Sequence, residues 1–72
     1  VNRITAMARA TLFAELRYIQ DYEHPHYRLH GLIHRASGMI DIAHDIGAIT
    51  LSTAERCSDW VLAYAERKGI TI

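Results

Sequence analysis

The chain is poor in the residues that staple or interrupt small folds: its 72 positions hold one cysteine, one proline and four glycines. A lone cysteine, Cys57, excludes an internal disulfide framework and fits a reducing cytoplasm. One proline leaves long stretches free to be helical. An excess of charge is lacking too, because eight Lys and Arg balance eight Asp and Glu. That removes the basic surplus that drives phosphate binding by counterion release, so nucleic acid is disfavoured as a partner. No apolar run approaches the ~20 residues of a membrane span. The N-terminal stretch VNRITAMARA also lacks the continuous apolar core of a secretory signal. The expected setting is cytoplasmic, with no membrane partner. Gly-rich phosphate loops and nucleophile elbows are absent as well.

What is present is the balance of a folded domain, with 50% apolar and 22% charged residues. A chain of this length makes one domain, 1–72, with a core near the lower limit for independent folding. Association with a copy of itself, as a homodimer, or with another protein is the natural expectation.

Apolar spacing predicts an all-α, compact three-helix bundle with helices at about 2–23, 25–46 and 53–68. In the first, Ile4, Ala8, Leu12, Leu16, Ile19 and Tyr22 share one face. A weaker strip of Ala6, Ala10, Phe13 and Ala14 lies on its other side and leaves Phe13 without a clear place. Glu15 falls inside the main stripe, so it needs an arginine such as Arg35 or Arg56, or a place at the stripe's open rim. After Pro25, suited to a first helical turn, the series Leu29, Leu32, Ile33, Ala36, Met39, Ile40, Ala43 and Ile46 keeps helical spacing up to Gly47, a natural C-cap. Ser52 and Glu55 have capping-box spacing for the third helix. Ala54, Cys57, Trp60, Val61, Tyr64 and Ala65 form its inner face, and Gly69 ends it. The tail ITI is too short for a strand.

The stretch YEHPHYRLHGLIH holds four of the five histidines. At 100° per residue, His30, His34 and Asp41 cluster on the second helix opposite its apolar stripe, with Tyr27 and Asp45 beside them. The i, i+4 spacing of His30 and His34 suits two ligands of one metal ion. A third ligand would have to come from Asp41, His26 or another chain. HGLIH also lacks the glutamate of a metalloprotease helix. Acid–base work by a His–Asp pair needs a water-excluding pocket, which a convex helix in a small bundle does not offer. The reading is therefore non-enzymatic, with no cofactor and no committed metal site.

Binding to a macromolecule suits these residues better, since His, Tyr and Arg present flat apolar bodies with hydrogen-bonding edges. Gly31 and Gly38 each cost their helix about 1 kcal/mol relative to alanine. Close approach of another helix, in the same chain or in a partner, would offset that. The candidate partner-binding set is Tyr27, His30, Gly31, His34, Arg35, Gly38, Asp41 and Asp45, with Phe13 and Arg17 as a second patch. Because free imidazole titrates near pH ~6.5, binding through the histidines should vary with pH.

The segment IDIAHDIGAIT also fits the start of a helix-turn-helix, with Ile42 and Ile46 inward. The second half departs from that pattern. Thr53 and Arg56 occupy its packing positions, and Glu55, Asp59 and Glu66 lie on the outer face, where acidic groups would meet phosphates.

The stretch GMIDIAHDIGAITLSTAER, residues 38–56, resembles the helix, short turn and helix of small accessory proteins of enteric prophages and plasmids. The resemblance covers about a quarter of the chain. It implies a helical mobile-element protein, from the class that includes anti-CRISPR and other anti-defence inhibitors. Such proteins act by occupying a surface of a host protein or protein complex. No binding residue of that class carries over to a position here.

Overall fold

The computed structural model describes residues 2–71. Three helices follow one another: α1 (Arg3–Asp21), α2 (His26–Asp45) and α3 (Leu51–Arg67). The bundle is elongated, with extents of 37 × 19 × 16 Å. Among the described residues no helix is long and apolar enough to cross a membrane.

The helix ends follow from local chemistry. Asn2 caps α1, its side-chain oxygen accepting from the Thr5 N–H at 2.8 Å. Thr50 caps α3 in the same way, accepting from the Thr53 N–H at 3.2 Å. Ser52 therefore lies inside α3, and the expected capping box with Glu55 does not form. Thr50 wins because its extended backbone aims its hydroxyl at the exposed N–H groups of the first turn. Pro25 is the N-cap of α2 and not its first helical residue. Its carbonyl accepts from the N–H groups of Arg28 and Leu29.

α2 and α3 end alike. Gly47 and Gly69 adopt φ of 78° and 71°. This left-handed conformation lets Ala48 N–H reach the Ala43 carbonyl and Ile70 N–H reach the Ala65 carbonyl. In each case the chain turns an apolar residue back onto the bundle, so Ile49 and Ile70 are buried. The tail adds to the core through Ile70, while Ile72 lies outside the described residues.

α2 is the central helix and packs along both α1 and α3. Leu12, Ile19, Ile33, Ile40 and Val61 are the largest fully enclosed side chains. Along their backbones α1 and α3 nowhere approach closely among the described residues. Side chains join them instead: the Tyr64 phenol donates to the Ile19 carbonyl at 3.1 Å.

The apolar pattern predicted most of this core, with informative exceptions. Ile4 and Tyr22, assigned to the stripe of α1, are exposed because they lie at the helix ends. Ile46 is exposed at the end of α2, and Trp60 and Met39 are only half-buried. Glu15 is buried within the stripe, and its Oε2 lies 3.2 Å from Nε of Arg35. The ion pair is thus made with one of the two arginines considered, across the α1–α2 contact.

Candidate functional site

The histidines His30 and His34 stand side by side on the exposed side of α2. Tyr27, His30, Gly31, His34, Gly38, Asp41 and Asp45 are all exposed on the outer side of α2. The His30 and His34 rings lie 4.5 Å apart at 58°. Among the described residues, neither histidine forms an ion pair with Asp41 or Asp45. No group of three or more His, Cys, Asp and Glu side chains there converges on a possible metal position.

The other histidine with a defined partner has a structural role. His24 places Nε2 3.1 Å from the Tyr18 carbonyl, with its ring 4.8 Å from that of Tyr18. Tyr18 and Ile19 belong to the last turn of α1, whose carbonyls lack helical partners. His24 and Tyr64 satisfy them.

Arg35 lies at the edge of this face, and Phe13 and Arg17 belong to the separate patch expected on α1. Arg35 is drawn toward α1 by Glu15. Phe13 lies across the molecule, half-buried against the core, with the Arg9 guanidinium 5.5 Å from its ring centre. Arg17 is exposed on α1. The two glycines are not sites of close packing within the chain, because a Cβ added at Gly31 or Gly38 would meet nothing within 4 Å. Helices one and three are thereby excluded as the neighbours these glycines would accommodate.

Two surfaces escaped the sequence reading. The first is a groove of about 380 Å3 between α1 and α3. α1 contributes Arg9, Phe13, Leu16 and Gln20. α3 contributes Thr53, Arg56, Cys57 and Trp60. The stranded position of Phe13 was its one signal in the sequence. Burial pushes the Cys57 thiol above its ordinary pKa, and the neighbouring Arg56 charge partly opposes this.

The second is an apolar seam where the start of α1 meets the end of α2. A cleft of about 230 Å3 is lined there by Met7, Ala8, Thr11, Met39, Ile42 and Ala43. Met7 and Ile42 in its lining remain 59 and 62% exposed, and Ile4 and Ile46, one helical turn farther along on the same two helix faces, 72 and 43%. The exposure of Ile42 and Ile46 overturns the inward placement that the helix-turn-helix reading required. Ile46 belongs to the apolar stripe of α2 in the sequence, because spacing marks a helix face without saying whether a neighbour covers it.

Compared with known proteins, the chain matches no family model, no curated protein and no solved structure.

Proposed function

We propose that this is a small non-enzymatic protein-binding module that inhibits or modulates a larger host protein complex by occupying its surface. The observation that carries the binding role is the α1–α2 seam. Large apolar side chains scattered singly are ordinary, but Met7 and Ile42 at an uncharged cleft, with Ile4 and Ile46 a turn away on the same helix faces, form a patch of the kind that marks protein contacts. In a chain this small, leaving them in water forgoes burial that its limited core could use.

The mobile-element origin and the defence complex as target rest on the resemblance of residues 38–56 to prophage and plasmid accessory proteins. The exposed histidine face of α2 is a second contact region of the same module in this reading.

The test is a pull-down with tagged protein from a nuclease-treated bacterial lysate, run beside an Ile42→Glu variant of unchanged helicity and thermal midpoint. Near-stoichiometric capture of a host complex by the parent protein, lost in the variant, is the expected result. Recovery of the protein alone, or capture indifferent to Ile42→Glu, overturns the assignment of the seam.

A further inference from the structure

We infer that the groove between α1 and α3 is a further docking site, and that its occupant is an acidic amphipathic helix of a partner protein. This inference is independent of the α1–α2 seam, which lies on a different pair of helices. The Tyr64–Ile19 bond holds the C-terminal halves of α1 and α3 together, while farther along them Phe13, Leu16, Cys57 and Trp60 form an apolar wall open to solvent. From Arg9 to Gln20 the groove follows three turns of α1, roughly 16 Å at 1.5 Å per residue. Helices that pack on each other lie ~8–10 Å apart with side chains interleaved. An added helix in this groove supplies the contact that α1 and α3 do not make with each other, and turns three helices into four.

Charge selects the occupant. The lining contains two arginines, Arg9 and Arg56, and no acidic side chain. α1 and α3 run in the same direction, so both arginines lie toward the N-terminal end of the groove. The first turn of α3 adds the positive end of its dipole there, with no acidic residue to offset it. The acids of α3, Glu55, Asp59 and Glu66, are exposed on its outer face, away from the groove. A docked helix therefore places Asp or Glu, and its own negative C-terminal end, beside Arg9 and Arg56. It runs antiparallel to α1 and α3, with Leu, Met or aromatic side chains at i, i+3, i+4 and i+7 against Phe13 and Trp60.

The outer face of α3 is itself acidic, with Leu51 and Leu62 exposed on it, so a second copy is the competing occupant. Its insertion would be head-to-tail, and such contacts propagate unless the rotation happens to close a ring. A helix from another protein terminates at one site.

The probe is a displayed library of random 16-residue peptides, selected against the immobilised protein and against an Arg9→Glu/Arg56→Glu variant. Where that variant loses thermal stability, Arg9→Gln/Arg56→Gln replaces it. Selected sequences should combine helical apolar spacing with acids toward the C-terminus. They should change the emission of Trp60, the chain's one tryptophan, and bind the charge-altered variant roughly tenfold or more weakly.

Several outcomes overturn the inference: no enrichment, enriched peptides without acids, or equal retention by the variant. Concentration-dependent self-association in sedimentation that is lost with the two arginines also does so, by assigning the groove to a second copy. Peptides retained by the arginine variant but lost with Ile42→Glu belong to the seam, which keeps the two sites separable.

Discussion

The phenol of Tyr64, buried on α3, donates its hydrogen to the carbonyl of Ile19 in the last turn of α1 at 3.1 Å. This bond spans two helices that otherwise leave a groove between them, and it satisfies a carbonyl that α1 cannot. Tyr64→Phe keeps the ring and strands that carbonyl. The expected loss is about 1–2 kcal/mol, and the thermal midpoint should fall by ~4–8 °C per kcal/mol for a domain of this size. An unchanged midpoint in calorimetry would show that the bond is not made in solution.

Glu15 and Arg35 are unequal partners, since the carboxylate is buried while the guanidinium side chain is 66% exposed. Arg35→Ala leaves a charge in the α1–α2 contact without its partner and should destabilise by about 1–3 kcal/mol. Glu15→Leu, which removes the buried charge, should be neutral or stabilising. Urea denaturation of the two variants and their double mutant decides the matter. Equal costs for both single changes would contradict the asymmetry.

Gly31 and Gly38 sit in a helix with open space where a Cβ would go. Alanine at either position should raise stability by roughly 0.5–1 kcal/mol. A destabilised variant would reveal crowding that the structure does not contain. Stabilisation together with a lost pull-down partner would assign the glycines to the contact on the histidine face.

The start of α3 separates Thr50 from Ser52 as its cap. Thr50→Ala should cost about 1 kcal/mol, while Ser52→Ala, inside the helix, should cost little or add stability. Reversed magnitudes in chemical denaturation would restore the capping box of Ser52 and Glu55.

Burial raises the pKa of the Cys57 thiol, with Arg56 acting in the opposite direction. In the unfolded chain a thiol titrates near pH ~8.5. Cys57 therefore contributes its full stability below that pH and loses it as the pH rises through its higher folded value. Stability of the parent protein should fall more steeply between pH 8 and 10 than that of Cys57→Ala. Parallel pH profiles would refute this, and so would alkylation of the native protein by iodoacetamide as fast as of the urea-unfolded chain.

The helices were legible because each is written in local terms. Leu29, Leu32, Ile33, Ala36, Ile40 and Ala43 repeat at helical spacing and are buried. Gly47 and Gly69 stop their helices by a conformation that costs glycine little. The outward placement of His30, His34 and Asp41 followed from the same periodicity. Periodicity is blind to what lies across from a face, however. It made core residues of Ile4 and Ile46, which the helix ends leave uncovered, and it gave Phe13 no neighbour.

Arg35 could as well have faced outward with the histidines; the position of α1 beside α2 turned it toward Glu15. The sequence by itself therefore determined three helices, their inner faces and their stops, all of which depend on residues within a few positions of one another. Only the tertiary structure decided that α2 lies between its neighbours, that α1 and α3 stay apart except through Tyr64, and that a basic, aromatic groove and an apolar seam remain open. Those outcomes depend on the direction from which each helix approaches, a relation between residues tens of positions apart that spacing within one helix does not encode.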